Sequence, residues 1–331
     1  MRGRPRPREQ GADLRFHDLR TSRSSFLADA LRGLARSPKR IPPKYFYDAR
    51  GSALFEAICA LPEYYPTRTE MAIMRAHIDD IARCVGGRAQ LIELGSGAST
   101  KTRLLIETAR PSRYVPVDIS EAALRAACAR LHADYPGLPI HAVCADFSRL
   151  LRLRPPIVRA DAPRVVYFPG STIGNFSPEE ALRFLRRLAA WLGGGGKLLI
   201  GVDTKKDPAV LEAAYNDAQG VTAAFNLNLL ARMNRELGAD FELSRFRHRA
   251  FYDPRGWVEM HLESLAAQQV RVGGRMFTFA AGETVHTEIS CKYAVSEFQG
   301  MARAAGLEPL AVWTDADGWF SVHLLSVRGP R

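Results

Sequence analysis

Cysteine is scarce and unorganised in this chain. Its five residues, Cys59, Cys84, Cys128, Cys144 and Cys291, are scattered, odd in number and without a CxxC pair. That excludes a disulfide framework and a thiolate metal site as first readings and leaves reduced packing residues. Only Cys291 adjoins a polar cluster. Long apolar runs are missing as well: none approaches the roughly 18 residues of a membrane span. The opening stretch MRGRPRPREQ has no apolar segment of the secretory kind. A soluble, cytoplasmic protein is therefore expected. The eight histidines show no HxxH or HxxxH spacing, so no metal is expected, and His261 and His286 read as strand-surface or packing residues.

Acidic residues are outnumbered, 35 against 46 Lys and Arg, for a net charge of +11. The excess is local. Residues 1–50 hold 13 basic and 5 acidic side chains, a net of +8, which leaves +3 for the other 281 residues. A basic tail of this kind, with a smaller Arg-rich patch at Ser148–Arg159, reads as a solvated arm over about residues 1–15, and nucleic-acid binding is not expected.

What the chain does have is a strand that runs into a glycine turn. Gln90 to Arg103 reads QLIELGSGASTKTR: an apolar run, then Gly95-Ser96-Gly97, then helix-compatible residues. Such a turn points backbone N–H groups and a helix N-terminus at a ligand. Strand–helix alternation follows. Strands are predicted at 90–94, 114–117, 140–144, 165–168 and 197–202, with helices at 99–110, 121–133 and up to Leu192. Alternation of this kind means a doubly wound, mostly parallel sheet. It stops at Thr204, where a helical stretch to Leu237 precedes antiparallel strands to about Thr287. A helix at 295–305 and an antiparallel hairpin over Glu308–Trp313 and Trp319–Val327 close the chain. A parallel sheet that ends this way is the Rossmann-like class I methyltransferase arrangement. Upstream, Phe16–Leu34 and Thr67–Cys84 are each predicted as one helix. The resulting division gives a cofactor domain over 67–203 and 293–331, and a smaller α+β substrate domain over 16–66 and 204–292.

The glycine turn admits three ligands. As a dinucleotide fingerprint GxGxxG it lacks the third glycine, because Thr100 stands there; as a P-loop it fails at the same residue, where a side chain would crowd wrapped phosphates. S-adenosylmethionine fits better. Glu93 precedes the turn, where an acid supports the charged methionine end. Gly95 and Gly97 permit close backbone approach. Asp118 ends the next strand, placed for the ribose hydroxyls, and Asp146-Phe147 after the third strand offers an acid and a ring for adenine. Lys101 either meets the cofactor's carboxylate or is a solvated helix charge.

The acceptor is read elsewhere. The fourth strand ends in Pro169-Gly170-Ser171-Thr172-Ile173-Gly174-Asn175-Phe176, not in the Asn/Asp-Pro-Pro-aromatic run of enzymes that methylate planar nitrogens. Gly170 permits close approach, and Asn175 either binds substrate or caps the next helix. The aromatics between Tyr45 and Tyr65 lie in Pro-bounded backbone and either line a pocket or fill a core.

KYFYDxxGSxLFExIxxLPEYYPTRTE, ELGSGxSxKT, YVPVDIS, FPGSTIGNF and TEIS together resemble the histidine Nα-methyltransferases of ergothioneine biosynthesis, from about Pro43 to Val327. The resemblance implies trimethylation of the L-histidine α-amine to hercynine; no metal is required, and a monomer is expected. It implies that Gly95, Lys101, Asp118, Asp146 and Phe147 bind S-adenosylmethionine, and that Asn175 and Tyr215 hold the substrate carboxylate. Tyr64, Glu288 and Ser290 would hold the imidazole with Met260 packed nearby, and Tyr47, Phe55 and Gly170 would surround the amine, Tyr47 and Asn175 standing nearest the reaction. Glu288 and Ser290, two apart on a strand, share a face. A carboxylate buried without a cation requires neutral donors such as an amide and a phenol. The competing substrate is another amino acid such as tryptophan, for which Glu288 is unsuitable; the competing class is an RNA-binding, methyltransferase-like protein that uses the basic arm.

Overall fold

The computed structural model describes residues 13–20, 24–97, 99–147 and 153–328. The arm through residue 12 and the first part of the Arg-rich patch lie outside the described residues. The chain opens with strand β1 (Leu14–Asp18), helix α1 (Ser24–Leu34), strand β2 (Lys39–Arg40) and helices α2 (Ala49–Cys59), α3 (Tyr65–Ala76) and α4 (Ile78–Val85). Then β3 (Gln90–Leu94), α5 (Thr100–Ala109), β4 (Arg113–Asp118), α6 (Glu121–Asp134), β5 (Ile140–Cys144), β6 (Arg164–Phe168), α7 (Pro178–Leu192) and β7 (Lys197–Asp203) follow. Helices α8 (Pro208–Tyr215) and α9 (Val221–Leu237) lead to β8 (Phe246–Asp253), β9 (Trp257–Ser264), β10 (Gln268–Val272), β11 (Arg275–Phe279) and β12 (Thr284–Cys291). Helix α10 (Val295–Ala304) and strands β13 (Leu307–Thr314) and β14 (Phe320–Val327) complete the described chain.

Eight strands form one sheet in the order β1-β5-β4-β3-β6-β7-β14-β13. Strands β1 to β7 of that sheet run parallel, and β14 runs antiparallel between β7 and β13. This is the class I methyltransferase fold with one extra parallel edge strand. Strand order reverses between β3 and β6, so their carboxyl ends flank the crevice where ligands of such sheets bind. The central strands are apolar on both faces because helices cover both. Ile92 and Leu94 pack toward α7 and α10, and Leu91 packs toward α3, α4 and α5.

The predicted helix Phe16–Leu34 is instead β1 followed by α1. Leu14 to Asp18 pairs in parallel with Ile140 to Cys144, closing the open edge of β5, and Phe16 lies under the Arg125 guanidinium at 4.4 Å. Edge backbone groups that need partners outweighed the local pattern. Leu14 and Arg15 therefore belong to no disordered arm, and residues 16–18 belong to the large sheet rather than to the substrate unit. The single helix predicted at 67–84 is two, α3 and α4, broken at His77.

A four-stranded sheet of order β2-β12-β9-β8 and the ribbon β10-β11 make the second body. Helices α1, α2, α8 and α9 pack on it around Phe46, Leu229, Leu230, Leu262 and Phe279.

Candidate functional site

The cofactor half is built at the carboxyl ends of β3 and β4. Their register aligns Leu94 with Val117, which sets the glycine turn beside Asp118. Gly95 and Gly97 adopt φ +70° and +48°, a region closed to most side chains. The Gly97 N–H donates to Asp118 Oδ2 at 2.9 Å and the Ser120 N–H to Oδ1 at 2.8 Å. Each oxygen keeps a further lone pair, enough for two ribose hydroxyls. Burial lifts the Asp118 carboxyl above its usual range despite those donors. A Cβ at Gly95 would stand 3.8 Å from Phe147, so turn and ring face each other across a cradle that a side chain would fill. Phe147 is fixed by Phe168, Phe176 and Phe184, and Asp146 lies 3.6 Å from the Lys44 ammonium.

On the cofactor side, the structure revises Glu93 and removes one of the two readings of Lys101. Glu93 does not reach toward a ligand: it is 1% exposed and accepts from the Tyr114 hydroxyl beneath the turn, burial raising its carboxyl to about 7. Lys101 is neither solvated nor free. It pairs with Glu70 of α3, a wholly buried carboxylate that also accepts the Gly170 N–H at 2.9 Å. Glu70 thus ties the cofactor helix α5 to the loop after β6.

The residues expected to bind substrate lie on the loop after β6, on α8, β9 and β12, and in the aromatic segment before α3. Gly170 has φ +73°, and a Cβ there would approach Lys101 Nζ to 3.9 Å, so the loop after β6 abuts the cofactor half. Asn175 does not cap α7; Ser177 does, in a capping box with Glu180. The Asn175 amide makes no hydrogen bond to other described residues. Gly174 presses this loop onto β12, where a Cβ would meet Cys291 O at 2.8 Å and Ser290 Oγ at 3.4 Å. Tyr47, Phe55 and Tyr64 form edge-on ring contacts at 5.7 and 6.3 Å, continued by Tyr215 at 6.5 Å from Tyr64. The Pro-bounded aromatics thus divide. Tyr45, Phe46 and Tyr65 are core, whereas Tyr47, Phe55 and Tyr64 are half-buried at the margin of that core. Burial and the charges of Glu288 and Asp118 push the Tyr47 phenol well above its ordinary value, which keeps it a donor.

Glu288 and Ser290 do share a face, opposite Met260 and Val258 of β9. A β-bulge at Thr287 puts them there: His286 pairs with His261 on the outer face, and the extra residue turns Glu288 inward. Thr287 is held by Asn226 Oδ1 (2.8 Å) and the Met260 carbonyl (3.0 Å), and Asn226 is itself anchored to His248 and the His261 carbonyl. Glu288 is 8% exposed, has no hydrogen-bond partner among the described residues, and is lifted by burial to about 7.

Behind the pocket lies a cation missed in the sequence. Lys292 Nζ contacts Asp203, Ser290 and Tyr215 at 2.7, 2.8 and 3.2 Å, and Tyr215 donates to Ser290 at 2.7 Å. Its spacing after Ser290 on β12 was the available signal. On the sheet's outer face, Glu259, His261 and His286 bring ligand-type atoms within 4.8 Å of one another. Glu259 there already bonds His261 and Trp257, and both histidines lie on the strand surface, as the sequence reading has them.

A family profile described as histidine-specific, S-adenosylmethionine-dependent methyltransferase matches residues 26–327. The chain is 46% identical over 309 residues to "Histidine N-alpha-methyltransferase" of Mycolicibacterium smegmatis, covering 90% of this chain and 95% of that one. It is 43% identical to the protein of that name from Mycobacterium tuberculosis, covering 89% and 93%. "Ergothioneine biosynthesis protein 1" of Neurospora crassa is 29% identical, covering 87% of this chain and 33% of that larger protein.

Proposed function

Because the chain belongs to the histidine-specific, S-adenosylmethionine-dependent methyltransferases, we propose that it converts L-histidine to hercynine by three successive methyl transfers to the α-amine, the hercynine-forming step of ergothioneine biosynthesis. The observation that carries this reading is Glu288, a buried carboxylate without a hydrogen-bond partner among the described residues, which shares a strand face with Ser290 and, like Asp118 beside the glycine turn, lies close enough to Tyr47 to raise its phenol. An acid so placed suits a small ring that offers an N–H.

S-adenosylmethionine, when bound, supplies an electrophilic methyl on a sulfonium. In our reading Gly95, Asp118, Asp146 and Phe147 hold its nucleoside, and Lys101, backed by Glu70, holds its carboxylate. Asn175 and Tyr215 bind the histidine carboxylate. Glu288, Ser290 and Tyr64 orient the imidazole against Met260, with Glu288 accepting a ring N–H and so selecting a tautomer. Gly170, Tyr47 and Phe55 surround the amine, whose neutral lone pair is thereby aimed at the methyl for in-line displacement. As methyls accumulate, the rings of Tyr47 and Phe55 favour the growing cation by about 0.5–2 kcal/mol. Tyr47, held protonated, orients the amine rather than acting as a base, and the proton that the methylated amine must shed before each further transfer would pass to water.

Residues flanking the crevice come from both bodies of the fold, so we further propose that the cofactor-binding sheet and the smaller α+β unit act as two domains around the substrates. We take the enzyme to be a monomer, and both substrates are metabolites of the cytoplasm, where we place it. No helix among the described residues is long and apolar enough to cross a membrane.

Mass spectrometry of L-histidine incubated with enzyme and S-adenosylmethionine tests the function. A gain of three methyl groups is expected, with none on L-tryptophan. No gain on histidine would overturn the reading. Deletion of residues 1–12 should leave the reaction intact; its loss would favour a role for the basic arm in the chemistry.

A further inference from the structure

The pocket's two hydroxyls, Tyr215 and Ser290, are held from behind by a charge. Lys292 is 2% exposed, and an ammonium has three hydrogens to give. All three have takers: Asp203 Oδ2 at 2.7 Å, Ser290 Oγ at 2.8 Å and Tyr215 Oη at 3.2 Å. Asp203 is wholly buried and also binds Lys206 at 2.6 Å and the Tyr65 hydroxyl at 2.8 Å. One carboxylate thus faces two ammoniums, and of the two it is Lys292 that touches Tyr215 and Ser290.

Counting hydrogens shows what this does. Tyr215 and Ser290 hold two between them, and one is spent in the 2.7 Å bond that joins them. A single hydroxyl hydrogen remains for a ligand. With Lys292 donating to both oxygens, a carboxylate beside Tyr215 draws the phenol hydrogen outward, and Ser290 then donates to Tyr215. Ser290 is left with one lone pair, which joins Glu288 in accepting the single N–H of the neutral ring. The phenol that meets the carboxylate is polarised by the ammonium behind it, and charge-assisted bonds of this kind are roughly twice as strong as neutral ones.

We propose that Lys292 is a positioning residue that sets the demand for a free α-carboxylate on the substrate: without touching histidine, it makes Tyr215 a carboxylate donor and Ser290 a ring acceptor. This amends the expectation that neutral donors act alone. It rests on the placement of histidine against Tyr215, Ser290 and Glu288.

The test compares equilibrium binding of histidine with that of histamine, the same ring and amine without the carboxylate, each measured with S-adenosylhomocysteine present. In Lys292→Met, histidine should bind about 10- to 100-fold more weakly, the loss of a bond to a charged group, while histamine changes less than about 3-fold. Parallel losses of both ligands would mean a merely structural role and overturn the proposal, as would unchanged histidine affinity. Should Lys292→Met fail to fold, Lys292→Gln removes the charge while keeping a donor for Asp203, which retains Lys206, and the same ratio decides. Tyr215→Phe is the control for the underlying placement. If it leaves the histidine-to-histamine ratio unchanged, the carboxylate does not lie at Tyr215 and the site reading itself fails; if it lowers the ratio and Lys292→Met does not, only the role of Lys292 fails.

Discussion

Replacement of Glu288 by Gln should make the protein more stable and a poorer enzyme at once. Glu288 is buried without a partner, and desolvation raises its carboxyl from 4.5 to about 7, the Lys292 charge only partly opposing. A carboxyl raised in the folded state contributes fully below its unfolded value, and that contribution is lost as pH climbs through the folded one. At pH 8 the ionised, unliganded group therefore costs about 3 kcal/mol, from roughly 1.36 kcal/mol for each unit of pKa. Gln cannot ionise. Glu288→Gln should exceed the parent in stability by up to about 3 kcal/mol at pH 8, a gap that shrinks below about 1 kcal/mol at pH 5. Glu93, also lifted to about 7, is present in both proteins and cancels. The same substitution removes a charge-assisted bond to the ring, worth about 1.5–3 kcal/mol, so the KM for histidine should rise about 10- to 150-fold. The KM for S-adenosylmethionine should stay within about 2-fold. Urea unfolding at pH 5 and pH 8 without histidine, and steady-state kinetics at pH 8, measure both arms. A variant less stable than the parent at pH 8, a gap independent of pH, or an unchanged histidine KM would refute the reasoning.

Three further substitutions probe the supports of the site. Glu70→Gln strips Lys101 of its buried counter-charge; it should cost up to about 3–5 kcal/mol in chemical denaturation and raise the KM for S-adenosylmethionine more than that for histidine. Gly174→Ala drives a Cβ to 2.8 Å from the Cys291 carbonyl. It should destabilise by about 1–3 kcal/mol and raise the histidine KM by displacing Asn175, both visible in a thermal melt and a substrate titration. Asn226→Ala frees Thr287 and orphans the groups Asn226 binds, a loss of about 1–3 kcal/mol. By loosening the bulge it should weaken histidine, but not the cofactor, in the same kinetics.

Errors in reading the chain had local causes. Leu14 and Phe16 alternate with Arg15 and His17, a strand period, but the apolar residues that follow fit a helix, and only the open edge of β5 decides between them. Asn175 is followed by Phe-Ser-Pro, and Ser177 was always the better cap, since Glu180 stands three residues on. An acid at the position of Glu93, just before such a turn, suits a ligand's charge, but here Tyr114 of the neighbouring strand binds it instead. Glu70 lies among TRTE on a helix, where nothing local marks it as the partner of Lys101.

The glycine turn, the acids that end β4 and β5, the strand–helix alternation and the closing hairpin are patterns of adjacent residues. Steric freedom at glycine and the periods of helix and strand are local physics, so the cofactor class and the fold followed from sequence alone. The acceptor site obeys other physics. A bulge pinned by Asn226, 61 residues away, decides which face Glu288 takes, and the charge behind Tyr215 depends on Asp203 at the end of another sheet. Burial and hydrogen-bond pairing between distant segments belong to no stretch of chain, and only the tertiary structure could decide them.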